Sequence, residues 1–340
     1  MSMATLKDIA KIAGVNVSTV SKALRGSSDI NKQTMQNIKK IADELNYSYE
    51  KREPSQIKTQ YSNSLNTIGI ICPEIISEYY SDIVNTLTKE IRKKGYYCII
   101  SFTDFDSENE GRYLKGLLNS NVKGIIFITE SLDIDDTLGL IKNNNYTIPL
   151  VVIAQNADTK EFDCIKIDDE YGMKLSVEHL LEQGHTNLGY VGDKLSNARM
   201  EAFIENLQEN KLKVNKKWIR VSEERFEKCG YDLLTAMIKE GDLPTAIVGA
   251  YDNIVIGAVK AITDSGRKVP EDISIIGIDN ISVTNYYNPE ITSVAGPVEE
   301  MARIAVKLLF KKIDSSEYDV VQNVVLPPRL ITRKSVRKLS

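Results

Sequence analysis

The sequence predicts an α/β chain in which a small all-helical head precedes a core of two doubly wound parallel-sheet units. From Asn66 onward, seven short apolar runs alternate with amphipathic helical segments, the pattern of parallel strands covered on both faces. Before residue 48, apolar residues recur only at the three- and four-residue steps of helices. A length of 340 residues exceeds one core and suits two or three.

In the head, Thr5 can cap a first helix with Leu6, Ile9, Ala10 and Ala13 on one face. Gly14 breaks the pattern, and Asn16 can cap a second helix, through about Leu24, that buries Val20, Ala23 and Leu24. Asn31 can cap a third, with Met35, Ile38, Ala42 and Leu45 inward. Helix, tight turn, helix within so short a span is the helix-turn-helix pattern. The second helix turns Ser18, Thr19, Ser21 and Lys22 outward, groups suited to base edges and phosphates. Residues 49–66 are polar and read as a linker.

In the core, strands are expected at 67–72, 96–102, 123–128, 149–154, 187–192, 245–250 and 273–278. Helices are expected near 79–94, 107–120, 134–145, 169–183, 196–210, 227–240, 252–266 and 298–312.

Hydrophobic residues make up 42% and charged residues 26% of the chain, which excludes a disordered or fibrous class. No apolar run approaches the ~20 residues of a membrane span. The first residues mix acid and base, unlike a signal peptide. Cys72, Cys98, Cys164 and Cys229 are scattered, so neither a disulfide framework nor a zinc site is expected, and the setting is a reducing cytoplasm. The net charge of −4 hides an asymmetry. Residues 1–60 hold ten basic and six acidic residues, a balance of +4, against 33 and 41 in the remainder, a balance of −8. A basic head on an acidic body is a statement about partners.

Ligands of open α/β sheets bind beyond the carboxyl ends of the strands. Those ends carry Tyr79-Tyr80, Asp104, Glu130, Gln155-Asn156, Asp193, Tyr251-Asp252 and Asp279-Asn280. Acids, amides and aromatic rings in one cleft suit a polyhydroxylated ligand. Any one of these residues can equally cap the next helix. His179 and His185 are six apart, the wrong spacing for one metal, and His185 at a helix end suits a cap or solvent role. Trp218 reads as packing. No nucleophile–base pair or nucleotide motif is present, so an enzyme is disfavoured and no cofactor or metal is expected.

The stretch TLKDIAKIAGVNVSTVSKAL resembles the N-terminal signature of the lactose-repressor (LacI/GalR) family of bacterial transcription regulators. VPEDISIIGIDN, ITSVAGP, HLLEQGHTNLGYVGD and LPPRLITRKS are similar to further family blocks. The resemblance covers essentially the whole chain. It implies a periplasmic-binding-protein-like core of two doubly wound subdomains, with an effector bound between them, and a homodimer on a palindromic operator in double-stranded DNA. It also implies domain limits: a head at 1–48, a linker at 49–66, an N-subdomain at 67–161 and 293–323, and a C-subdomain at 162–292 and 324–340. By motif position, Val17, Ser18 and Lys22 would select bases. Thr5, Thr19, Ser21, Arg25 and Asn31 would contact phosphates or cap helices. Arg199 in SNARMEAF stands at the effector-binding arginine of the family. Tyr251, Asp252 and Asp279 match further effector positions, and Tyr79, Tyr80, Asp104 and Phe226 are looser matches on variable loops; Glu130 enters as a strand-end residue.

The linker departs from the family. It is longer and lacks the Ala-Arg-x-Leu string whose leucine wedges into the minor groove, a role left to Ile57. The expected function is therefore a DNA-binding repressor controlled by a small molecule, a sugar or glycoside. The alternatives are a solute receptor without a DNA role and a co-repressor-dependent regulator answering to a purine or a partner protein.

Overall fold

The computed structural model describes residues 5–24, 29–45, 47, 66–130, 139, 148–154, 159, 161–315 and 320–339. The chain forms two compact units, 1–65 and 66–340.

The head is α1 (Leu6–Ala13), α2 (Val17–Leu24) and α3 (Lys32–Glu44) around a core of Ile9, Val20, Ala23, Ile38 and Ala42. Each helix starts where a polar side chain meets its free N–H groups. The Thr5 N–H and hydroxyl both donate to Asp8. Asn16 Oδ1 accepts from the Thr19 N–H at 2.8 Å and Asn31 Oδ1 from that of Gln33 at 2.9 Å. Gly14 ends α1 at φ 67°, a left-handed conformation that glycine adopts without strain.

The larger unit runs β1 (Thr67–Cys72), α4 (Glu78–Lys93), β2 (Tyr97–Phe102), α5 (Ser107–Leu118), β3 (Gly124–Thr129), β4 (Leu150–Ala154) and β5 (Asp163–Ile167). Then come α6 (Asp169–Glu182), β6 (Leu188–Asp193), α7 (Asn197–Glu209), β7 (Ile219–Ser222), α8 (Phe226–Glu240), β8 (Ala246–Gly249), α9 (Asp252–Asp264) and β9 (Ser274–Ile278). The chain ends with β10 (Thr292–Ala295), α10 (Val298–Asp314), β11 (Asn323–Leu326) and β12 (Arg329–Ile331). The first lobe holds a parallel sheet in the order β11-β5-β4-β3-β1-β2; the second holds β12-β10-β9-β8-β6-β7, parallel except for β12. The chain crosses between lobes three times, after β5, after β10 and after β11.

The boundaries expected inside the core shift accordingly. Residues 163–167, assigned to the C-subdomain, form β5 of the first sheet, and 323–326 join them there, while 292–295 lie in the second sheet. The physical reason is that Asp163 and Lys166 interrupt the apolar run of β5. Asp163 is buried in the first lobe, paired with Lys312 of α10 at 3.1 Å. The expected helix at 134–145 lies outside the described residues, apart from Gly139.

Two glycines set the packing of the second lobe. A Cβ on Gly257 would meet the Glu227 carbonyl oxygen at 1.8 Å, and one on Gly230 would meet that of Ile254 at 1.8 Å. Helices α8 and α9 therefore cross backbone to backbone. His185 is fully buried, contrary to the cap or solvent role expected of it. Its Nδ1 meets Thr245 Oγ1 and its Nε2 the Arg337 carbonyl, both at 3.0 Å, which pins the last strand-flanking segment to the sheet. Trp218 packs as expected, with its indole N–H on Asp242. Among the described residues no helix is long and apolar enough to cross a membrane.

Candidate functional site

Two surfaces carry the candidate side chains, one in each unit. On the head, Val17, Ser18 and Lys22 lie exposed on α2, with Ser21 and Thr19 half-buried beside them. Positions 17, 18, 21 and 22 share one helical face. Val17 is 38% exposed. Two hydroxyls already have local work: Ser18 Oγ and Thr19 Oγ1 both donate to Asn16 Oδ1. Lys22 pairs loosely with Asp29 at 3.4 Å on the surface, a contact of small energy. Thr5 and Asn31 act as helix caps. Arg25 and Ile57 lie outside the described residues.

In the core, a cleft is lined by both lobes, with Tyr79, Tyr80, Phe105 and Glu130 from the first and Asp193, Arg199, Arg225, Phe226, Tyr251 and Asp279 from the second. The end of β6 places Asp193, whose carboxylate accepts the Tyr251 hydroxyl at 2.6 Å and the Ser196 N–H at 3.1 Å. Tyr251 in turn accepts the Phe226 N–H. Phe226 is held at φ 59° and Asp279 at φ 95°, conformations that cost bulky residues energy and cluster at functional sites.

Arg199 is a buried cation of the cleft, 7% exposed. Its Nε and Nη2 donate to the two Asp169 oxygens at 3.1 Å, its Nη1 donates to the Ala250 carbonyl at 2.7 Å, and Asp279 stands 3.6 Å away. Most of its donor capacity is therefore spent within the chain. Burial pushes the Asp279 carboxyl up to about 6 against the pull of Arg199. Burial likewise pushes Glu130 up to about 8, partly offset by the Tyr80 hydroxyl that donates to it.

Two expected residues stand outside the cleft. Asp104 is exposed; both it and Phe105 have positive φ, and that turn sends Phe105 inward in its place. Asp252 is fully buried and accepts from Ile281 N–H and Ser293 Oγ, joining β9 to β10. It ties the sheet together, which is neither the effector contact nor the helix cap expected of it. Phe105 and Arg225 were missed because no motif marks them. The Arg225 guanidinium lies 4.4 Å from the Phe105 ring centroid and 4.5 Å from that of Phe226. Among the described residues no cluster of three or more His, Cys, Asp or Glu side chains is placed to hold a metal.

A helix-turn-helix head joined to a two-lobed, parallel-sheet core with a cleft defines the class of bacterial DNA-binding regulators built on a binding-protein scaffold. Residues 5–49 match the family of bacterial regulatory proteins of the lacI type, and residues 177–336 match the periplasmic binding protein-like domain. Over 343 residues the chain is 32% identical to the HTH-type transcriptional repressor PurR of Pasteurella multocida (strain Pm70), spanning 98% of this chain and 99% of that protein. A LacI family transcriptional regulator from Enterococcus faecalis V583, solved with bound ribose, is 26% identical with a TM-score of 0.69, covering 81% of this chain and all of that one (100%). The lac repressor dimer bound to operator and the anti-inducer ONPF has the same fold, with 23% identity, a TM-score of 0.72, and 99% and 100% of the two chains covered. This chain belongs to the lacI family. It is a DNA-binding repressor and not an enzyme.

Proposed function

We propose that a small molecule held between the two lobes sets the affinity of the head for a palindromic operator, and that a cytoplasmic homodimer is the working unit. The observation that carries this is the cleft, where aromatic plates and carboxylates from both lobes face one space. A ligand touching both lobes stabilises one lobe arrangement over another, and that differential contact is what shifts an equilibrium. The lac repressor is described as a dimer in its operator complex, which supports the dimeric reading.

The effector is a sugar or glycoside. Phe226, Tyr79 and Phe105 supply faces for the apolar side of a pyranose; Glu130 and Asp279 accept from hydroxyls and Arg225 donates. In the head, Val17, Ser18 and Lys22 read base edges, while Thr19, Ser21, Arg25, Asn31 and Thr5 serve phosphates or caps, and Ile57 supplies the minor-groove wedge. A second reading, a purine acting as co-repressor, is favoured by the 32% identity to PurR repressors across 98% of the chain. A thermal-shift screen of sugars against purines, followed by operator binding with each hit, separates the two. Stabilisation by purines alone overturns the carbohydrate reading.

A further inference from the structure

We propose that the effector site continues into a side chamber selective for a protonated amino group, with Glu110 as the specificity-determining residue. This rests on the reading of the cleft as the effector site. The chamber has a volume of about 160 Å³ and is lined by Pro73, Phe105, Ser107, Glu110, Glu130 and Leu195. Phe105, Glu130 and Leu195 also line the main cleft, so the two spaces share a wall.

Glu110 projects from α5 and is 3% exposed. Its Oε1 accepts the Thr129 hydroxyl at 2.7 Å. Its Oε2 is buried with no hydrogen-bond partner among the described residues. A buried carboxylate oxygen left unmatched costs free energy that a fold retains only for a reason. Glu130, the second carboxyl, accepts the Tyr80 hydroxyl. No lysine, arginine or histidine stands among the lining residues.

Two carboxyls facing a chamber without a base favour a cation that donates hydrogen bonds. An ammonium supplies three donors and one positive charge; a hydroxyl supplies one donor and leaves the charge unbalanced. An anionic substituent such as a phosphate is repelled. Burial pushes both carboxyls up, so each ionises most readily once a cation arrives. The occupant is an amino sugar whose ring lies in the cleft and whose ammonium reaches the chamber.

The test uses the full chain and calorimetry on matched pairs: D-glucose against D-glucosamine, D-galactose against D-galactosamine, and cellobiose against the deacetylated glucosamine dimer. N-acetyl-D-glucosamine serves as neutral isostere and hypoxanthine and guanine as purines. At least one amine should bind about tenfold tighter than its hydroxyl and N-acetyl counterparts. Glu110→Gln should bring that ratio to within about twofold. The wild-type ratio needs no variant, so misfolding of Glu110→Gln does not block the test. Neutral sugars binding as tightly as amines, a ratio unchanged in Glu110→Gln, or no binding by any amine overturns the proposal. The first two of these leave the carbohydrate reading of the cleft standing; purine binding alone removes both.

Discussion

Arg225 stacks its guanidinium on Phe105, 4.4 Å from the ring centroid, although the two residues belong to opposite lobes. Phe226 covers it at 4.5 Å, and Glu74 and Asp193 stand 3.8 and 3.7 Å away. The flat cation thus fills the slot between the two rings, and a sugar that stacks on either one displaces it. A second bridge lies at the rim, where the Ser282 N–H and hydroxyl donate to Glu78 at 2.6 and 2.9 Å.

Removing the stacked cation should loosen the closed lobes. Each cation–π contact contributes about 0.5–2 kcal/mol. Arg225→Ala should lower the melting temperature of the core by a few °C and raise the radius of gyration of the unliganded chain in small-angle scattering. An unchanged scattering profile would show that the stack does not hold the lobes.

Arg199 supports the fold before it serves any ligand. Arg199→Ala leaves Asp169 and Asp279 buried without their cation, a loss on the order of 3–5 kcal/mol, and melting should show it with no ligand present. Arg199→Lys keeps the charge but not the paired contact with Asp169, and should recover part of the loss. If Arg199→Ala melts like the wild type, the pair with Asp169 is not structural.

Stability should fall as pH rises from about 6.5 to 8. Burial raises Glu130 to about 8, so in this range the native state holds a proton that the unfolded chain has released near the ordinary carboxylate value. The state with more bound protons loses ground as pH rises. His185, pushed down by burial, acts in the opposite direction, below its ordinary value of 6.5, and does not interfere. Melting curves across this interval should flatten in Glu130→Gln; an equally steep fall would assign the effect elsewhere.

The exposed face of α2 should govern operator binding. Lys22→Ala should weaken it at every salt concentration, and Ser18→Ala should alter sequence preference more than affinity. A base-contacting variant costs about 1–3 kcal/mol at its own position. Anisotropy titrations on operator and scrambled duplexes check both. Equal losses on the two duplexes for Ser18→Ala would remove it from base reading.

The legible strands were the apolar runs, among them the edge strand β2 with its partly exposed residues. β1, β3, β4, β6, β8 and β9 show as unbroken apolar runs because helices cover both faces of each sheet. β5, β7, β10, β11 and β12 do not stand out, being short or broken by Asp163, Lys166, Arg220, Thr292 and Ser293. Arg199, Phe226, Tyr251 and Asp279 were found because they sit at strand ends or in family motifs. Phe105 and Arg225 were not, because their meeting depends on lobe closure and on two consecutive left-handed residues. Glu110 looked like one more polar residue of an amphipathic helix; only packing shows that its carboxyl faces inward.

Control of the head by the cleft can be read directly. The direct measurement is the operator dissociation constant with and without saturating ligand, for the wild type and for Phe226→Ala, on an operator selected in vitro. Coupling of the usual 1–3 kcal/mol predicts about a 5- to 150-fold change in the wild type, reduced or lost in Phe226→Ala at the same ligand concentration. A ligand that binds and stabilises the core yet leaves operator affinity unchanged would contradict it.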